Sequence, residues 1–89
     1  MTWGPSAREV KRLVARTFIE LGMPATAVFR LKETVLFDGD RPWSHTYRVE
    51  GARAVWTVGE GIVEFRDAEG RLLLTLNLLE RIVPQRMAA

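Results

Sequence analysis

Residues 38–58, DGDRPWSHTYRVEGARAVWTV, decide how this chain folds. Trp43, His45, Tyr47 and Val49 alternate there with Ser44, Thr46, Arg48 and Glu50. A period of two is the mark of a strand with one buried face. Asp38-Gly39 is a turn-forming pair, and Pro42 fixes φ where the chain leaves the turn, so Asp38 to Pro42 reads as a five-residue connection between two strands. Gly51 marks the next reversal.

The same punctuation continues outward. Glycines at 39, 51, 59/61 and 70 separate runs rich in Val, Thr, Phe, Trp and Leu. Turn signals at this spacing describe an antiparallel meander, with strands at about 27–37, 43–50, 53–58, 62–67 and 71–78. Upstream, Ser6 and Glu9 form an S-x-x-E capping box. Val10, Leu13, Val14, Thr17, Phe18 and Leu21 then follow a helical rhythm, and Gly22 and Pro24 end it. The chain is thus expected to be a single α+β domain over 1–89: a helix at about 7–21 packed on one face of a curled four- to five-stranded antiparallel meander, with a frayed tail after 84.

The alternation assigns Phe29, Leu31, Val35, Phe37, Trp43, His45, Tyr47, Val49, Ala54, Trp56, Val58, Val63, Phe65, Leu72, Leu74, Leu76 and Leu78 to the buried face. Glu33 falls in the same register, which predicts a β-bulge that turns it away. Five strands make a sheet roughly 20–25 Å wide, whereas one helix is about 10–12 Å across. Part of the apolar face must therefore be covered by curling of the sheet, by a second copy or by a ligand.

Composition bounds the chemistry. With 89 residues, 47% hydrophobic and 27% charged, this is an ordinary globular composition of one domain's length. The absence of cysteine excludes disulfides, thiolate catalysis and Cys-ligated zinc, and fits a reducing compartment. No apolar run approaches membrane-spanning length, and MTWGPSAREV does not resemble a signal peptide, so a cytoplasmic location and no membrane partner are expected. Asp38, Asp40 and His45 lack the spacing of a metal loop, and no metal or cofactor is expected. Ser44 and His45 are strand neighbours whose side chains diverge, so they do not form a nucleophile–base pair, and no enzymatic activity is expected.

Three partner surfaces remain. Trp3, together with Val55, Val58, Ile62 and Leu73, suits a protein interface, either with another protein or in a homodimer. Eleven of thirteen basic residues are arginine, and Arg8, Lys11, Arg12 and Arg16 on the helix with Arg30, Arg48 and Arg53 near the sheet are candidates for nucleic-acid phosphates. Glu33, His45 and Tyr47 are candidates for a small-ligand pocket inside a curled sheet. The leading expectation is a non-enzymatic, self-associating interaction module or accessory subunit, ahead of nucleic-acid binding and then of a ligand pocket.

Overall fold

The computed structural model describes residues 6–82. Helix α1 spans Ala7–Glu20 and opens on the expected capping box. The Glu9 N–H donates to Ser6 Oγ at 3.1 Å, and the Ser6 N–H donates to Glu9 Oε1 at 2.9 Å. It closes in a Schellman motif: Gly22 N–H reaches the Ile19 carbonyl and Met23 N–H reaches Phe18, both at 3.0 Å, with Gly22 at φ 101°. Val10, Val14, Thr17 and Phe18 form its buried stripe. Thr17 satisfies its hydroxyl on the Leu13 carbonyl at 2.8 Å.

After Pro24 the chain departs from the expected strand. Residues Ala25–Phe29 form a one-turn helix, α2, because the Pro24 carbonyl accepts from the N–H groups of Ala27 and Val28. The first strand, β1, therefore begins only at Lys32 and runs to Asp38. β2 covers Arg41–Val49, β3 Ala52–Thr57, β4 Ile62–Asp67 and β5 Leu72–Asn77. They pair antiparallel in the order β1-β2-β3-β4-β5, an open five-stranded meander. A 3-10 turn at Val58–Glu60 takes the place of the expected end of β3, and Leu78 opens a short helix, α3 (Leu78–Ile82), instead of ending β5.

The first hairpin is tighter than the sequence suggested. Asp38 pairs with Arg41 across a two-residue turn, so Pro42 lies inside β2, opposite Phe37. Next to it Trp43 opposes no residue, since Leu36 pairs with Ser44 and Phe37 with Pro42. That bulge accommodates a proline, which has no N–H to give to the ladder. It also breaks the alternation that placed Trp43 inward, and Trp43 is exposed. No register shift occurs at Glu33, which pairs directly with Tyr47. A second bulge leaves Leu73 unopposed between Leu72 and Leu74, so Leu72 lies across from Arg66 and is exposed, not buried.

The core joins Val10, Val14 and Phe18 of α1 and Val28 of α2 to Tyr47, Ala52, Ala54, Trp56, Val63, Phe65, Leu76 and Leu78. Phe18 meets Phe65 edge-on, with ring centroids 5.2 Å apart. Leu31, Val49, Val58 and Leu74 pack at the margin of this cluster. Burial is concentrated on the central strands. Alternate residues of β3 are buried, only Leu76 of β5 is, and none of the seven residues of β1 is. Phe29 (93% exposed) and Phe37 (61%) are accordingly outside the core to which the alternation assigned them.

The last hairpin is closed by one carboxylate. Asp67 Oδ1 accepts from the N–H groups of Glu69 (3.0 Å) and Arg71 (2.9 Å), and Oδ2 accepts from Arg71 Nε at 3.1 Å. The Arg71 N–H above all, with the Glu69 N–H and the Arg71 guanidinium, holds the Asp67 carboxyl below its ordinary range. This contribution is complete above the ordinary carboxylate range and is lost as pH falls through the lowered value.

Because Phe18 is the residue through which α1 grips the sheet, Phe18→Ala is expected to remove about 3–5 kcal/mol of stability, most of what a domain of this size has. Urea unfolding followed by circular dichroism measures this. A loss below ~1 kcal/mol would mean that α1 is not held by this contact.

Candidate functional site

The structure brings Glu33, His45 and Tyr47 together on the helix-facing side of the sheet. Glu33 pairs with Tyr47 and Val35 with His45 across β1 and β2, and Tyr47 and His45 face Ala54 and Trp56 of β3. Direct opposition keeps each pair on one face. Glu33 Oε2 lies 2.8 Å from His45 Nδ1, with the imidazole almost fully buried and the carboxylate about a quarter exposed. The imidazole stacks on Trp56 at 4.6 Å between centroids and lies parallel to the Tyr47 ring at 6.2 Å. An inward charge on an edge strand is thus accommodated by an imidazole and two rings rather than by a bulge.

Two polar atoms in this cluster are buried without a hydrogen-bond partner: Tyr47 Oη and Trp56 Nε1. The Glu33 carboxylate, whose Oε2 is held by His45, acts on the phenol mainly through its charge and the proximity of its oxygens, and no acceptor meets Tyr47 Oη in good hydrogen-bond geometry. Burial first, and the Glu33 carboxylate second, push the Tyr47 phenol well above its ordinary pKa. The group therefore stays neutral and protonated under all ordinary conditions. What the cluster provides is a carboxylate–imidazole pair beside a neutral phenol, on the margin of an apolar surface. Ser44 alternates onto the opposite face, where it pairs with Leu36 and Thr57, so it does not complete a nucleophilic pair with His45. No group of three or more metal-ligating side chains occurs among the described residues.

The outer face holds an arrangement that only the register reveals. Lys32 pairs with Arg48, Arg48 with Arg53 and Arg53 with Arg66, so four cations stand in one row across β1 to β4. Neighbouring strands are about 4.8 Å apart. Like charges directly opposite one another oppose the sheet by about 0.2–1 kcal/mol per pair. Relief is partial: Arg66 reaches Glu64 at 3.3 Å and the Gly70 carbonyl at 2.8 Å, and Arg48 reaches only Thr34 Oγ1 at 3.4 Å. The helix cations Arg8, Lys11, Arg12 and Arg16 are exposed too, but α1 lies over the other face of the sheet. Arg30 sits in the link between α2 and β1. The basic residues therefore form two separate surfaces, not one.

The expected outer apolar patch does not assemble. Val55 and Ile62 lie diagonally on β3 and β4, both half-buried, while Leu73 sits at the second bulge near the far end of β4 and Val58 lies in the 3-10 turn. Trp3 lies outside the described residues. Among the described residues, the large exposed apolar side chains are instead Leu36, Phe37 and Trp43 around the first hairpin, Leu72, Leu73 and Leu79 at the other edge, and Ile19 with Phe29. Those last two line an open groove of about 390 Å³ with Ala15, Val28 and Leu31. Sequence reasoning missed Phe29, Phe37 and Trp43 as surface groups because the alternation placed all three inside, and it did not single out Leu36. No helix among the described residues is long and apolar enough to cross a membrane.

The neutral, unpartnered phenol gives a pH test. Its raised folded pKa contributes stability that is complete below the ordinary value near 10 and is lost as pH rises above it. Tyr47→Phe is therefore expected to unfold at higher urea than the wild type at neutral pH, by about 1 kcal/mol, and the gap is expected to widen in alkali. Since the chain has one tyrosine, tyrosinate absorbance should appear only with unfolding. Parallel losses for both proteins in alkali would show that the phenol is not held neutral by the fold. No family model, no curated protein and no solved structure matches this chain.

Proposed function

We propose that this protein is a non-enzymatic interaction module that acts by associating with a second copy of itself. The observation that supports this reading most is the state of β1: it is an outer strand of the sheet, none of its residues is buried, and Leu36, Phe37 and the adjacent Trp43 stand in solvent on it and beside it. An open, apolar edge strand is a template for pairing with another chain. Exposed apolar surface clustered in this way marks interfaces more than it marks a monomer's surface. The Glu33–His45 pair lies on the margin of the same region, where a partner would shield it.

Light scattering on the eluting chain tests this. The expected mass is twice 10.1 kDa. Phe37→Asp should return a folded monomer, because Phe37 is 61% exposed and contributes little to the core of one chain. A wild-type monomer at the highest soluble concentration, or a dimer unaffected by Phe37→Asp, would overturn the reading. Val58 is a poorer probe of the same idea, since it packs against the core and a charge there would unfold the chain.

A second reading has its own support, the row Lys32–Arg48–Arg53–Arg66. A row of cations with so few carboxylates is suited to a single-stranded nucleic acid, contacted through its phosphates. The row and its cross-strand neighbours Thr34, Thr46, Val55, Glu64 and Thr75 carry no aromatic ring, so binding would be indifferent to sequence. Affinity for an oligonucleotide should fall steeply with salt, and Arg48→Ala with Arg53→Ala should flatten the log–log slope by roughly 0.7 for each arginine removed. Salt-independent binding, or an unchanged slope, would remove this reading.

A further inference from the structure

Resting on the self-association proposed above, we infer that the two copies join through β1 in one specific register, antiparallel about Val35, to make a continuous ten-stranded sheet. Three observations lead there: the symmetry that an edge pair must have, the placement of charge along β1, and the lack of ionic partners for those charges.

A two-fold axis perpendicular to the sheet keeps every residue on its own face. Residues directly opposite one another in an antiparallel pair share a face. The axis must therefore pass through a residue, not between two. Of the residues of β1, only the central one, Val35, allows all seven from Lys32 to Asp38 to pair. In that register Lys32 meets Asp38 of the other copy, Glu33 meets Phe37 and Thr34 meets Leu36, each twice.

The charges agree with this geometry. The approach to β1 and its first residue are basic, Arg30 and Lys32, whereas its last residue and the turn are acidic, Asp38 and Asp40. Antiparallel self-pairing lays the basic end of each copy against the acidic end of the other. A parallel arrangement would set like charges together. Within one chain, neither Lys32 nor Asp38 makes a salt bridge among the described residues. The one inward charge of the strand, Glu33, would ordinarily discourage pairing at an edge. Here it is already tied to His45, and the register brings Phe37 of the other copy alongside it.

The opposite edge is less suited to this role. β5 is interrupted by the bulge at Leu73, and α3 follows it directly. Bulges and terminal helices are devices that hinder edge pairing.

Charge reversal tests the register. Lys32→Asp alone places two pairs of carboxylates across the axis, and Asp38→Lys alone places two pairs of ammonium groups. Each single variant should have its dimer dissociation constant raised about tenfold or more. Mixed together, the two variants should form a heterodimer as tight as the wild type, because both pairs are then complementary. Sedimentation or light scattering of each variant and of the mixture reads this, with circular dichroism confirming that both residues, exposed in one chain, are not needed for folding. If the wild type dimerises but neither variant weakens it, or the mixture gains nothing over its components, the register is wrong while self-association stands. If the wild type is a monomer, self-association fails, and the register with it.

Discussion

One helix has to cover a sheet about twice its width, and this constraint shapes the rest of the molecule. The apolar stripe of α1 is four residues long in its buried part, Val10, Val14, Thr17 and Phe18, and it is anchored by the edge-on contact of Phe18 with Phe65 of β4. Residues above β2, β3 and β4 are buried as a result, and those of β1 are not. The single turn of α2 contributes only Val28 to the core and leaves Phe29 in solvent. Where the cover stops, the sheet has two ways to meet water: with a charge, as at Glu33, or with apolar side chains, as at Phe37 and Trp43.

The Glu33–His45 contact belongs to this boundary. A carboxylate facing the core side of a sheet is costly unless something answers its charge. His45 answers it from the neighbouring strand, and is itself stacked against Trp56. The pair is then flanked by a phenol and an indole whose polar atoms have no partner. Such unsatisfied groups cost about 1–3 kcal/mol each. The region is therefore held in place by the strands around it more than by its own hydrogen bonds.

Much of this was legible in the sequence, for local reasons. The capping box and the Gly22–Pro24 stop fix α1 to within a residue, because both act over a few neighbouring positions. The alternation in β2 and β3 correctly places His45, Tyr47, Ala54 and Trp56 on one face. The misreadings share a cause as well. A bulge adds one residue to a strand without a distinctive residue type, so Trp43 and Leu72 were assigned to the wrong side. A Val-Phe pair following Ala-Thr-Ala reads as strand until the Pro24 carbonyl is seen to nucleate a turn of helix. Glu33 looked like an exception to alternation, when it was an obedient member with a partner, His45, twelve places along the chain, a distance over which no local rule operates. The row of four cations is of the same kind: spacing in sequence says nothing about opposition across strands until the register is known.

The two surfaces discussed above are not independent, because Lys32 belongs to both. It ends the cationic row on the outer face, and it also begins the edge strand. An isolated chain must hold Lys32 beside Arg48 with no carboxylate near enough to answer it. Pairing through β1 would bring Asp38 of a second copy to the end of the row and relieve that repulsion, leaving Arg48 and Arg53 as the cations of the row without an ion pair among the described residues. An anion laid along the row would relieve it as well, and would compete for the same ammonium group. On the two proposals together, assembly and anion binding would be linked through one side chain with opposite sign: whatever engaged Lys32 on the outer face would weaken its hold on the edge partner, and by thermodynamic reciprocity edge pairing would weaken the anion site to the same degree. The proposed link rests on one observed placement: Lys32, which closes the row opposite Arg48, is also the residue that opens the edge strand.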